Sequence, residues 1–64
     1  MKVNVYNAET FALINVRHVD EVVEHEFDHG GDDEAFGKEC DRAIAELKSA
    51  GRYWIGKVYI TTRR

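Results

Sequence analysis

The first residues of the chain alternate between apolar and polar side chains. Val3 and Val5 are flanked by Lys2, Asn4 and Tyr6, which is the two-residue period of a strand with one buried face. Because successive side chains of a strand point to opposite faces, only the two valines are expected to reach the core. The pattern predicts a strand at the start of the chain.

A turn and a second strand are predicted next. Residues 7–10, Asn-Ala-Glu-Thr, have the composition of a hairpin turn. Residues 11–17, Phe-Ala-Leu-Ile-Asn-Val-Arg, are apolar on both faces in their first half. Such a segment is typical of a central strand. We expect it to be covered on one side and partly shielded on the other.

Residues 19–29 fit two structures. As a helix, the segment places apolar residues from Val19 to Phe27 on one stripe, at spacings of three and four. As a strand, it places the odd-numbered residues from Val23 to His29 on one face. The carboxylates that then share the other face are Glu24, Glu26 and Asp28. The clean alternation and the lack of a good N-cap favour the strand.

The clearest helix follows the Gly30-Gly31 pair. Asp32 is a natural N-cap, and Gly51 is the expected residue at which the helix ends. Between them an apolar stripe recurs at helical spacing. Its members are Phe36, Cys40, Ala43, Ile44 and Leu47.

The last segment, residues 53–61, is rich in β-branched and aromatic side chains and predicts one strand. Trp54, Val58 and Ile60 are expected to face the helix. The elements together predict an α+β fold, a small antiparallel sheet of three to four strands with one helix packed on it. The predicted order is β-β-β-α-β, within one domain that spans residues 1–64.

Length and composition limit the classes of function that the chain can have. A chain of 64 residues has little room for an enclosed ligand pocket, so a binding protein is favoured over an enzyme and no cofactor is expected. A single cysteine, Cys40, excludes an intrachain disulfide, and its place on the apolar stripe predicts an inert thiol. No signal peptide is evident and the chain starts with Met. We expect a complete small cytoplasmic protein.

The acidic residues are concentrated in the middle of the chain. Residues 18–47 hold eleven carboxylates and two cations, Lys38 and Arg42, which gives a local charge of about −9. The remainder holds one acid, Glu9, and seven cations, about +6. The net charge of −3 therefore conceals two regions of opposite charge, and the protein is dipolar. Such a separation of charge gives information about the binding partners of a protein rather than about its fold.

Spaced carboxylates can imitate the phosphates of a nucleic-acid backbone. We therefore predict that an acidic surface binds a basic, nucleic-acid-binding protein or complex of the host cell, with the chain as monomer or homodimer. The expected contact residues are Glu24, Glu26, Asp28, Asp32, Asp33, Glu34, Glu39, Asp41 and Glu46. An antitoxin-like subunit that neutralises a basic protein would use the same surface.

Residues 25–29, His-Glu-Phe-Asp-His, satisfy the H-E-x-x-H pattern of a zinc site. This segment, with Val22-Val23-Glu24 before it, resembles the metal motif of peptide deformylases. The resemblance implies zinc held by His25 and His29 and a hydrolase that uses Glu26. A third ligand would come from His18, Asp32, Asp33 or Glu34. In a strand the two histidines would lie about 13 Å apart, too far to share one metal.

In the C-terminal region, cationic residues are interspersed with aromatic residues, a pattern that can bind single-stranded nucleic acid. These residues are Lys48, Arg52, Tyr53, Trp54, Lys57, Tyr59, Arg63 and Arg64. Because the whole domain is acidic, we expect instead a charged edge strand with Trp54 in the core and no direct binding of nucleic acid.

In size and charge segregation the chain resembles, by type, the small phage-encoded anti-CRISPR proteins. The resemblance implies an inhibitor that occupies the DNA-binding surface of a host effector complex. The zinc hydrolase remains the alternative from another class.

Overall fold

A computed structural model describes residues 1–63 and contains a four-stranded antiparallel sheet with two helices. The strands lie side by side in the order β2-β1-β4-β3. The elements are β1 Lys2–Asn7, β2 Leu13–His18, α1 Val19–Glu26, α2 Asp33–Ala50, β3 Arg52–Ile55 and β4 Val58–Thr62. The α+β class is therefore confirmed. The predicted order β-β-β-α-β and the single helix are wrong, because the order is β-β-α-α-β-β.

The core lies between one face of the sheet and the two helices. Its buried side chains come from β1, β3, β4 and both helices: Val3, Val5, Val19, Val22, Val23, Ala43, Leu47, Ile55, Val58 and Ile60. Both helices pack on the same face, so the other face of the sheet is open. Within residues 1–63, no helix has the length and apolar content that crossing a membrane requires.

Residues 19–26 are helical, and the preference for a strand there is wrong. The helix buries Val19, Val22 and Val23 together against the sheet. A strand would have brought only Val23 and Phe27 to the core, beside two histidines. The greater apolar burial of the helix outweighs its missing side-chain cap at His18.

The C-terminal segment forms a hairpin rather than one strand. Gly56 adopts a positive φ of 56° in the turn, so that Ile55 pairs with Val58 and both side chains face the core. The reversal turns Trp54 to the open face, where it is 50% exposed. The prediction that Trp54 lies in the core is therefore wrong.

The second strand is at the edge of the sheet, whereas residues 11–17 were expected to be central. β2 pairs with β1 alone, with a register shift between Val5 and Tyr6 of β1. Leu13 and Ile14 remain more than half exposed as a result. β4 takes the central position beside β1 instead, because it pairs with both β1 and β3, and β3 forms the other edge.

The predicted helix and turn signals at four other places are confirmed. Asp32 caps α2, its carboxylate accepting the N–H groups of Glu34 and Ala35 at 3.0 and 3.2 Å. Gly51 ends the helix in the left-handed conformation, with φ at 80°. The amide oxygen of Asn7 accepts the N–H of Glu9 at 2.8 Å in the first turn, and the Gly30-Gly31 pair breaks the chain between the helices.

The end of α1 is joined to the β3–β4 turn by one side chain. Glu26 Oε1 accepts the backbone N–H of Lys57 at 3.1 Å. Gly56 lies so close that an added Cβ would approach Glu26 Oε1 to 2.8 Å and its carbonyl oxygen to 3.0 Å. This contact needs a glycine for two reasons, the space and the positive φ.

We expect Gly56→Ala to lower the free energy of unfolding by about 1–3 kcal/mol, because the methyl group collides with Glu26 and the backbone is strained. Gly37→Ala is the control, since Gly37 lies inside α2 with nothing within 4 Å of an added Cβ. The Gly37→Ala substitution should raise the free energy of unfolding, measured in urea, by about 0.5–1 kcal/mol. Equal effects of the two substitutions would contradict the contact.

Candidate functional site

The exposed side of the two helices and their connecting loop carries nearly all the acids of the protein. We call this surface the acidic layer. Seven of the predicted contact residues are exposed there: Glu24, Asp28, Asp32, Asp33, Glu34, Asp41 and Glu46. Asp20 and Glu21 are exposed on it too. Neither residue was among the predicted contacts, because the predicted row of strand carboxylates began at Glu24.

The burial of the apolar stripes positions these carboxylates. In α1, Val19, Val22 and Val23 face the sheet, so that Asp20, Glu21 and Glu24 point away from it. In α2, Ala43 and Leu47 are buried, while Asp41 and Glu46 are exposed. The row of strand carboxylates that the sequence suggested is thus replaced by a two-helix surface.

The carboxylates of both helices act on one group between them, the thiol of Cys40. Burial raises the pKa of Cys40, and the negative charges of Asp20, Asp41, Glu39 and Glu24 raise it further. Asp20 and Glu24 belong to α1, whereas Glu39 and Asp41 belong to α2. Carboxylates of both helices therefore contribute to one negative field around Cys40.

Little positive charge offsets this field. Within residues 1–63, Lys38 is the one lysine or arginine that pairs with a carboxylate, at 3.3 Å from Glu34. Both partners are more than 70% exposed, so the pair contributes little stability. Arg42 and Glu46, which are four residues apart on α2, form no ion pair among the described contacts.

Two predicted contact residues lie inside the molecule instead. Glu39 is 9% exposed and accepts the hydroxyl hydrogen of Tyr53 at 2.6 Å, which joins α2 to β3. Glu26 has a side-chain exposure of 15% and binds the β3–β4 turn. Both carboxylates hold elements of the fold together and are not presented to a partner.

The histidines of the H-E-x-x-H segment do not converge. A helix is present, as a zinc site requires, but it ends at Glu26 and leaves His29 outside. His29 Nδ1 accepts the N–H of Gly31 at 3.2 Å, and its Nε2 lies 3.1 Å from Glu24. The His25 side chain is 75% exposed.

The predicted third ligands, His18, Asp32, Asp33 and Glu34, do not complete a site. In residues 1–63, no three His, Cys, Asp or Glu side chains are arranged to hold a metal ion. The geometry therefore gives the zinc hydrolase no assembled centre on which to act.

Comparison of the chain with protein-family models, with curated proteins and with solved structures found no match.

The contact of Tyr53 with Glu39 has a measurable titration. Burial, and then the hydrogen bond to Glu39, raise the pKa of Tyr53 to about 12. Since the folded pKa exceeds the ordinary value of 10.0, this contribution to stability is complete below pH 10 and is lost as the pH rises towards 12.

The difference in absorbance at 295 nm between the parent and Tyr53→Phe isolates this group. We expect a midpoint near 12 in the folded protein and near 10 in urea. Glu39→Gln should lower the folded midpoint, because the charge of Glu39 is removed. A midpoint near 10 in the folded parent protein would contradict the contact.

Cys40 reports on the acidic layer. The thiolate is the reactive form, so a raised pKa slows its reaction with a disulfide reagent at pH 8. We expect Asp20→Asn with Asp41→Asn to shift the pH profile of the reaction downwards. Glu9→Gln removes a carboxylate elsewhere and should leave the profile unchanged. Equal shifts in the two variants would show that the field is not local.

Proposed function

We propose that the chain is a non-enzymatic binding protein whose acidic layer docks on a basic, nucleic-acid-binding surface of a partner protein. The observation that carries the proposal is the set of nine exposed carboxylates on one layer. Within residues 1–63, only Lys38 among the lysines and arginines pairs with one of them. A surface of this kind attracts cationic partners over a distance and speeds their association.

Fold requirements account for only part of this charge. Asp32 caps α2, and acids in the first turn of each helix favour its dipole. Asp41 and Glu46 lie beyond the first turn of α2 and have no described partner. Both side chains are exposed, so they can contact a partner without unpacking the core.

A groove that normally holds phosphates is a suitable target, because it already presents lysine and arginine at regular spacings. The carboxylates would displace its counterions as phosphates do. Effector complexes of the kind that anti-CRISPR proteins block have such grooves, and we propose them as the first class to screen. An inhibitor of this type would compete directly with DNA.

The test is capture from a CRISPR-bearing bacterium on the tagged chain, followed by a DNA-binding assay of the purified captured complex. The variant with Glu21→Lys, Asp41→Lys and Glu46→Lys should associate roughly ten-fold more slowly or worse. None of the three side chains makes a described hydrogen bond, so the fold should survive; circular dichroism checks this.

Single reversals supply the matched control. Asp41→Lys and Glu9→Lys give the same net charge, but Glu9 lies in the β1–β2 turn outside the acidic layer. We expect the Glu9→Lys variant to inhibit DNA binding by the captured complex as strongly as the parent chain does. The Asp41→Lys variant should inhibit it less strongly. Inhibition by the triple variant that equals that of the parent would refute the proposal.

A further inference from the structure

The open face of the sheet, opposite the helices, has its own chemistry. Strand register places three rows of side chains across it. The first row is Leu13, Tyr6, Tyr59 and Trp54, the second is Val16, Asn4, Thr61 and Arg52, and the third begins with His18 and Lys2. One end of the face is thus aromatic, and the other end is basic.

The aromatic row forms a connected cluster centred on Tyr59. The ring of Tyr6 stacks on it, with centroids 4.9 Å apart and planes 9° apart. Trp54 lies on its other side, at 4.6 Å. Because Trp54 is 50% exposed, Tyr59 supports its indole while leaving a surface for a ligand.

Phe11 completes the cluster in an unusual backbone conformation. Its ring lies 6.0 Å from that of Tyr59 and is 62% exposed. Its φ is 63°, which glycine or asparagine adopts at lower cost. A hydrogen bond from the Phe11 N–H to the carbonyl of Asn7, at 2.8 Å, holds it there. The turn thus places an aromatic ring on the open face where the backbone favours a smaller residue.

The charges of this face have one sign. The four strands contain no aspartate or glutamate. Lys2 and Arg52 are exposed and lie on the open face by register. Arg63 is exposed and comes directly after Thr62, the partner of Val3, so that continuing the register would bring it opposite Lys2. Arg64, the other predicted cation here, lies outside the described residues.

We propose that this open face binds single-stranded nucleic acid, with bases stacked on Trp54 and Phe11 and phosphates held by Lys2, Arg52 and Arg63. A single strand offers a flat π-face and a negative charge at every nucleotide, and so matches both ends of the face. The four strands span about 14 Å, room for two or three stacked bases.

Charge complementarity favours single-stranded nucleic acid over the other candidate ligands of the open face. A second copy of the chain, docked by the same face, would bring no negative charge to the cations, because its strands hold no aspartate or glutamate either. An acidic peptide would satisfy the cations but offers no bases to the rings. The ligand must also tolerate the acidic layer on the far side. The shortest dimension of the fold is 15 Å, longer than the screening length of about 8 Å at physiological salt.

This assignment opposes the expectation that the chain does not bind nucleic acid directly. That expectation rested on Trp54 in the core and on the acidic composition of the domain. The hairpin turns Trp54 outwards, and the acids are confined to the helices, their connecting loop and Glu9. Neither reason therefore applies to the open face.

The experiment uses Trp54 as its own probe, since it is the one tryptophan of the chain. Purified protein is titrated with oligothymidylate and with oligouridylate of about 12 nucleotides, a length within the range of single-strand sites. We expect both to quench the fluorescence. Three phosphate contacts predict a slope of about −2 for log affinity against log salt. The ratio of the two affinities tells DNA from RNA.

The variants are followed by the anisotropy of labelled oligothymidylate. Trp54→Leu keeps the apolar volume without the stacking ring and should weaken binding roughly 5–100-fold, whereas Trp54→Phe should keep most of it. Arg52→Gln should weaken binding and reduce the salt slope by about 0.7. Lys48→Gln is the matched control, because Lys48 is an exposed cation in the last turn of α2. It should change neither affinity nor slope.

Three results would overturn the proposal. The first is the absence of quenching by either oligonucleotide at low salt. The second is equal weakening by Arg52→Gln and Lys48→Gln. The third is a concentration-dependent dimer in sedimentation that Trp54→Leu dissolves, which would assign the face to a second copy. The triple reversal of the acidic layer should still bind oligothymidylate, so this test and that of the proposed function fail separately.

Discussion

The structure depends on the fact that two helices cover only one face of a four-stranded sheet. All the sheet residues of the core, Val3 and Val5 in β1 and three others in the C-terminal hairpin, face α1 and α2. Residues 1–63 form no further helix or strand that covers the second face. Aromatic side chains therefore remain at the surface, held by packing against one another.

Chain topology turns a charge pattern in the sequence into a charge pattern in space. The strands come from the two ends of the chain, which are basic, and the helices come from the acidic middle. Because β1 pairs with β4, the two basic ends meet in one sheet. The helices must then place their acids on the side away from it. Segregation along the chain thus becomes segregation between two layers.

The sequence was sufficient wherever a local signal had one structural meaning. Asp32 and Gly51 fixed the ends of α2, and alternation identified β1. It was insufficient at residues 19–29, where alternation and helical spacing overlap and the choice depends on the sheet that receives the valines. At Gly56 the positive φ that makes a hairpin was not distinguishable from a bulge, so the orientation of Trp54 was inverted.

The same ambiguity governed the candidate sites. Most of the acidic layer could be named from composition, since exposed carboxylates need no particular partner. Glu39 and Glu26 could not be separated from it, because their burial depends on Tyr53 and on the β3–β4 turn, which are distant in sequence. At the H-E-x-x-H pattern, the sequence could not show that α1 ends at Glu26 and leaves His29 outside the helix. A motif of this kind has chemical meaning only if the helix spans it.

The acidic layer and the open face lie on opposite sides of one core. Under the two proposals, a basic protein on the helices and a single strand on the sheet would not compete for space, and each would approach the side of matching charge. A complex that holds nucleic acid would offer both kinds of partner together. Contact through both layers would then add the second interaction at high effective concentration, so that two weak contacts give firm binding without an enclosed pocket.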